Sequence, residues 1–391
     1  MLNTNFSPWP SFTQEEADAV RSVLLSNRVN YWTGNECREF EKEFAEWCGV
    51  NYAVALMNGT VALDVALNAL GIGVGDEVIV TSRTFLASVS SIVNVGAIPV
   101  FADVSEDSQN ITPESVYEKV TSKSKAIMCV HLAGWPCDMD GMMDLADKLG
   151  LFLIEDCAQA HGAKYKGRAV GSIGHIGCWS FCQDKIMTTG GEGGMVTTNN
   201  KSLWSKMWSY KDHGKSWEAV YDREHPPGFR WLHDSFGTNW RMTEMQGVIG
   251  RIQLRRMPEW TIKRQINANR IWETARQISS LRVPKVPDYI EHAAYKCYVF
   301  ICPERLKDGW DRDRVMNEIM LQGVPCYSGS CSEVYLEKAF DNTGWRPVRR
   351  LSVAKELGET SLMFLVHPTL AETEIQKTCD VLNNVMSQAS R

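Results

Sequence analysis

Short, β-rich apolar runs alternate with amphipathic helical patterns through the first two-thirds of the chain. Tyr52 to Met57, Glu77 to Thr81, Ile98 to Val104, Ala126 to Leu132, Leu151 to Glu155, Gly177 to Phe181 and Gly194 to Thr198 predict strands. Most are continuously apolar rather than alternating, the pattern of strands covered on both faces. Helical periodicity fills the gaps at Val61 to Leu70, Thr112 to Thr121 and Met139 to Leu149. The implied fold class is α/β, a three-layer large domain with a mostly parallel sheet.

Around Arg251 the rhythm changes to a long charged and aromatic helical stretch through Arg255, Trp260, Arg264 and Trp272. A second unit follows, with a strand at Tyr298 to Ile301 and a helix from about Asp311 to Leu321. This predicts a large domain over residues 1–255 and a smaller C-terminal α+β domain over 256–391. The segment Trp217 to Thr238, rich in Pro, Gly and His, is the expected mobile loop.

With 391 residues, 44% of them hydrophobic, the chain can bury a sizeable core in two domains. Its net charge of −6 is dispersed, which points away from nucleic acid and from an acidic tail. Twelve cysteines are scattered from Cys37 to Cys379 without a CxxC pair, as expected of reduced thiols. A zinc site could draw on His131, Cys137, Cys157, His161, Cys178 and Cys182. Structural zinc uses paired ligands at short spacing, so no metal is expected. Met1 to Pro10 has neither a basic start nor an apolar core. No apolar run approaches the roughly 20 residues that span a bilayer, and a cytoplasmic protein is expected.

Candidate chemistry lies in Ser180-Phe181-Cys182-Gln183-Asp184-Lys185, followed by the glycine-rich turn Thr188-Thr189-Gly190-Gly191-Glu192-Gly193-Gly194-Met195. A lysine past a short apolar strand, beside a turn that cannot crowd a ligand, suits an amine that condenses with a carbonyl. Upstream, Glu155-Asp156-Cys157-Ala158-Gln159-Ala160-His161-Gly162 ends another apolar run in acids. Asn58-Gly59-Thr60 ends one strand and opens a helix, so free N–H groups and the positive dipole end face one point where a phosphate can sit. Gly71-Ile72-Gly73-Val74-Gly75 precedes a strand instead of following one, so it is no dinucleotide fingerprint, and no Gly-Lys-Ser/Thr motif occurs.

A phosphate, a carbonyl and a basic ring nitrogen together describe pyridoxal phosphate. The chain resembles the DegT-type sugar aminotransferases of the aspartate aminotransferase superfamily, which have the type I fold. The likeness runs from Gly34 and Phe40-Glu41 through Asn58 to Leu63, Asp156 to Gly162 and Ser180 to Met195, to Gly237-Thr238-Asn239-Trp240-Arg241-Met242. It implies that Lys185 is the Schiff-base lysine and proton shuttle, and that Asp156 pairs with the ring nitrogen. Gln159 would touch the phenolic oxygen, and Phe85, in Thr84-Phe85-Leu86-Ala87-Ser88, would stack on the ring. Ser180 and Thr60, with the backbone of Asn58 and Gly59, would hold the phosphate. Asn239 would reach the phosphate of a neighbouring subunit, implying a homodimer with shared active sites. Trp32, His161, His213 and Arg241 are candidates near the substrate.

The resemblance further implies transfer of an amino group, with glutamate as donor, to a sugar carbonyl in bacterial surface-polysaccharide biosynthesis. A related sugar 3-dehydratase carries histidine at the lysine position, so Lys185 argues against that reaction. Where many nucleotide-sugar members carry a Pro-Leu-His element, this chain has Tyr327-Ser328-Gly329-Ser330-Cys331-Ser332-Glu333. The chain as a whole is similar to the branch that aminates an eight-carbon acidic sugar to 8-amino-3,8-dideoxy-manno-octulosonate. A nucleotide-linked 4-keto or 3-keto deoxysugar is the competing acceptor.

Overall fold

The computed structural model describes residues 6–391; Met1 to Asn5, part of the N-terminal stretch read above, lie outside the description. Seven strands form the main sheet: β1 Tyr52–Leu56, β2 Glu77–Thr81, β3 Ile98–Ala102, β4 Ser124–Val130, β5 Phe152–Asp156, β6 Ile176–Ser180 and β7 Gly194–Thr198. Their spatial order is β1-β7-β6-β5-β4-β2-β3. Only β7 runs antiparallel, against both β1 and β6; β6-β5-β4-β2-β3 pair in parallel. Every predicted strand is present within about two residues of its predicted ends. Their near-continuous burial is the reason the runs are apolar rather than alternating.

Helices Gly59–Ala69 and Met139–Leu149 match the periodicity. The segment expected to be helical from Thr112 to Thr121 is shorter, Pro113–Tyr117. Beyond it, the amides of Lys119 and Val120 bond to carbonyls three residues back, and the chain tightens into a turn. Helices Gln14–Leu25, Glu36–Cys48, Ala87–Asn94 and Lys201–Tyr210 add to those anticipated.

The long helical stretch is one helix, Glu244–Arg276, which continues through Pro258. Near its start Arg251 pairs with Glu36 and Glu43, and Arg256 with Glu15 and Glu16. Near its end Arg270 pairs with Glu372, on the C-terminal helix Glu372–Ala389. Residue 255 therefore falls inside a continuous rod that both halves of the chain pack against. The C-terminal half holds an antiparallel sheet ordered Leu281–Arg282, Cys297–Ile301, Ser361–Phe364, Cys326–Tyr327, with its own apolar cluster.

Trp217 to Thr238 begins with a short helix, Trp217–Tyr221, whose Trp217 packs on Trp204 and Trp208. The rest has no regular element and carries exposed Phe229, Trp231 and Phe236. No helix among the described residues is long and apolar enough to cross a membrane.

Candidate active site

Because β1, β2, β4, β5 and β6 point the same way, their C-terminal ends open on one edge of the sheet, where ligands of open α/β sheets bind. A cavity of about 780 Å³ lies there, and the C-terminal half closes its far wall. Asn58, Gly59, Thr60, Phe85, Asp156, Gln159, Ser180 and Lys185 all line it. The sequence-predicted cofactor residues, scattered over more than a hundred positions, thus share one space, Asn239 excepted.

At the end of β1, the Asn58 side chain accepts from the Val61 amide at 3.0 Å and caps helix Gly59–Ala69. The first-turn N–H groups of Gly59 and Thr60 stay outside the intrahelical ladder and border the cavity. Gly59 is required by space: a Cβ there would lie 2.5 Å from Ser180 Cβ. A Cβ on Gly194 would strike the Asn58 carbonyl. Two strand ends therefore come close enough for Ser180 Oγ and the helix start to face one anion.

Asp156 ends β5 at 5% exposure. Its Oδ2 accepts from Ser88 Oγ at 2.8 Å and its Oδ1 from the Ala158 amide at 3.1 Å. Thr84 Oγ1 lies 2.9 Å from Ser88 Oγ and completes the chain of hydroxyls. Burial pushes the Asp156 carboxyl up, while Ser88, Ala158 and Lys185 oppose it. Each oxygen keeps a lone pair for a further donor. Gln159 Oε1 accepts from the Ala133 amide at 2.9 Å, which fixes its side chain at the cavity wall. Phe85 is 71% exposed, an uncovered aromatic face inside a cavity rather than a core residue.

Lys185 Nζ stands 3.6 Å from Asp184 Oδ1 and 5.5 Å from the centre of the Tyr295 ring. Tyr295 donates its hydroxyl to Asp184 Oδ2 at 2.5 Å. Although burial acts the other way, the Lys185 ammonium and that hydroxyl hold Asp184 below the usual carboxylate range. Behind the lysine, Trp9 Nε1 donates to the Lys185 carbonyl at 2.8 Å. The Trp9 ring packs edge-on to Trp260, stacks on His367 and lies under the Arg264 guanidinium.

The substrate candidates lie elsewhere. Trp32 Nε1 and Arg241 Nη1 both donate to buried Asp212, at 2.7 and 2.6 Å, and Lys215 joins them at 3.1 Å. Asn239 is exposed and bridges to Asp212 through the backbone; the neighbouring His213 is exposed with φ 60°. This cluster borders the end of β1, where the Met57 amide donates to the Trp240 carbonyl, but none of its members lines this chain's own cavity. His161 is fully buried against Trp179 and Phe181 and does not reach the cavity either. Burial, reinforced by Lys185 and Arg264, holds its pKa down to about 3, so the imidazole is neutral.

Of the sulfur and imidazole groups weighed for zinc, His131 and Cys157 approach each other, together with Glu155. Glu155 already accepts from His131 Nε2 and from the amides of Gly171, Ile173 and Gly174, and His131 Nδ1 accepts from the Cys137 amide. His131 and Glu155 thus belong to one hydrogen-bonded network, with Cys157 beside it.

Sequence reasoning passed over Ser88, Asp184, Tyr295, Lys296 and Trp9. Ser88 sits in the first turn of helix Ala87–Asn94, three residues after Phe85, and lines the same cavity. Lys296 carried a signal, as the one charge in the run Ala293-Ala294-Tyr295-Lys296-Cys297-Tyr298-Val299-Phe300. Tyr295 and Trp9 had none, because their roles depend on contacts across the whole chain.

The residues present fit pyridoxal phosphate: a cradle of free amides and hydroxyls, an amine, an exposed ring face and a buried acid with lone pairs to spare. Residues 10–383 match the model of the DegT/DnrJ/EryC1/StrS aminotransferase family. The chain is 35% identical to the GDP-perosamine synthase of Escherichia coli O157:H7, over 97% of each chain. It is 34% identical to a UDP-N-acetyl-3-dehydro-alpha-D-glucosamine 3-aminotransferase of Acidithiobacillus ferrooxidans, over 98% of this chain and 96% of that one. Among solved structures, an aminotransferase from Psychrobacter cryohalolentis is 66% identical with a TM-score of 0.97, covering 98% of this chain and 99% of the other.

Proposed function

Since the chain belongs to the DegT/DnrJ/EryC1/StrS family of pyridoxal-phosphate-dependent sugar aminotransferases, we propose that its acceptor is a nucleotide-linked ketosugar and its donor glutamate. Two relatives alignable over nearly their whole length are named for GDP- and UDP-linked sugars, which supports this reading above the eight-carbon acid. The observation that carries the aminotransferase chemistry is the meeting of Lys185, Asp156 and the Asn58–Thr60 helix start in one cavity.

When bound, pyridoxal phosphate supplies a carbonyl for the travelling amino group and a ring that takes up the electron pair released at the substrate carbon. The chain's own residues do the rest. Lys185 Nζ would hold the cofactor and would then carry the proton released at the substrate carbon. Asp156 keeps the proton on the ring nitrogen. Ser180 Oγ, Thr60 and the Gly59 and Thr60 amides hold the phosphate. Phe85 would pack on the ring and Gln159 would bond to its phenolic oxygen. The enzyme works in the cytoplasm as a homodimer, in which Asn239, with Arg241, Trp32 and His213 near it, serves the partner's cavity.

The free eight-carbon acid stays as a second acceptor because Gly329-Ser330-Cys331 stand in the cavity wall in place of Pro-Leu-His. The two separate in a half-reaction screen. Enzyme converted with glutamate to its amino form is mixed with GDP- or UDP-linked ketosugars or with the eight-carbon aldehyde acid, and recovery of the yellow form is followed. Recovery with the nucleotide sugars alone is expected; recovery with the free acid alone would reverse the assignment.

A further inference from the structure

The cavity contains a cation that the cofactor residues do not use. Lys296 lines it from the C-terminal half, just before the central strand Cys297–Ile301 of the small sheet. Its ammonium lies 4.8 Å from the centre of the Tyr295 ring, the ring that Lys185 also borders. Among the described residues it has no hydrogen bond and no acid within ion-pair distance. The nearest candidate, Asp184, is already occupied by the Tyr295 hydroxyl and by Lys185. Glu192 and Glu337 also border the cavity but form no pair with it.

An ammonium withdrawn from bulk water without a counter-ion is costly, and proteins pair such groups. A second unneutralised cation backs this wall. Arg83 is fully buried, its guanidinium bonds to the neutral Gln109 and Ser361 side chains, among the described residues its Nη1 has no partner, and it lies 5.5 Å from the centre of the ring of the cavity residue Tyr298. Burial, with the neighbouring positive charges of Lys185 and Arg264, pulls the Lys296 ammonium below its ordinary range, against Asp184. The missing partner is an anion.

We infer that Lys296 is a substrate-binding residue whose ammonium receives an oxyanion of the substrate while the reacting carbon lies against Lys185. The inference rests on the proposed function only in placing donor and acceptor in this cavity. Two sources share that chemistry: the carboxylate of the amino donor, and the acid or phosphate group of the acceptor. Both visit the same space in turn in a two-stage transfer, and Lys296 is placed to set how strongly a neutral substrate is disfavoured.

The test uses cofactor-loaded protein, with Lys296→Met to remove the charge and keep the stem, and Lys296→Arg to restore a charge. Glutarate stands for the donor and inorganic pyrophosphate for the acceptor, each titrated by calorimetry. Borohydride trapping of the chromophore on Lys185 and the thermal midpoint check that each variant is folded and loaded. Loss of one charge-assisted hydrogen bond should weaken at least one probe by roughly 10- to 100-fold in Lys296→Met, with recovery in Lys296→Arg. Weakening of glutarate alone assigns the anion to the donor; weakening of pyrophosphate alone assigns it to the acceptor. Unchanged binding of both probes in Lys296→Met, or equal loss in both variants, would overturn the inference. The acceptor assignment fails separately, if the parent enzyme rejects nucleotide-linked ketosugars while probe binding still depends on Lys296.

Discussion

Asp156 shows how one side chain is made fit for its work. Its two oxygens are each held by one donor, Ser88 Oγ and the Ala158 amide, and it is 5% exposed at the cavity wall. Asp156→Asn preserves the shape and removes the charge that, in the proposed role, would keep a ring nitrogen protonated. The rate of the glutamate half-reaction should fall by on the order of 10² or more, with the thermal midpoint nearly unchanged. Glu16 makes a different case. It accepts from the Thr13 amide and hydroxyl and from Gln253, and pairs with Arg256. Burial works against ionisation, yet these donors together hold the carboxyl below its usual range. A lowered native value means that the stabilisation is complete above the ordinary carboxylate range and is lost as the pH falls through the native value. Glu16→Gln should therefore cost roughly 1.5–3 kcal/mol near neutrality, and the gap to the parent should close in acid denaturation curves.

At the scale of elements, the turn between β1 and its helix decides whether an anion can be held. Gly59→Ala leaves a good helix former at the first turn but pushes a methyl against Ser180. Cofactor affinity, measured by dialysis, should drop, and the cofactor-free protein should also lose about 1–3 kcal/mol of stability from the overpacked contact. These elements were legible in the sequence for a physical reason. Strands covered on both faces must be apolar throughout, so Leu153-Ile154 or Ile79-Val80 announce themselves, and the polar residues that interrupt them, Asp156 and Ser180, mark the functional edge. Helix Ala87–Asn94 was missed because its short Ala-Ser-Val-Ser-Ser pattern is a weak periodic signal. The place of the far wall was illegible, although Lys296 and the Gly329 segment each stood out locally, because Tyr295, Lys296 and Gly329 reach the cavity from a part of the chain whose sheet pairing no local pattern encodes. His161, beside Asp156 in sequence, faces the opposite way into an aromatic cluster.

On the scale of the whole molecule, the cavity joins two halves of one chain, and the cluster around Asp212 lies outside it. If Asn239 serves a neighbouring protomer, two defective enzymes can repair each other. Lys185→Ala and Asn239→Ala proteins, each inactive, should regain about a quarter of parent activity after mixed refolding, since half the dimers are then mixed and carry one intact site of two. Activity that stays at zero would confine each site to a single chain.

The Trp9 hydrogen bond to the Lys185 carbonyl has a practical side. The same short segment is clasped to the C-terminal helix by Ser7, which bonds to Glu374, and to the turn before that helix by Pro8, whose carbonyl accepts from Thr369. A protease nick or an ill-chosen affinity tag near residue 9 would thus unbuckle the backbone of Lys185 from the far domain at one stroke. A tag at the other terminus is the safer handle for purifying enzyme whose colour and rate are to be trusted.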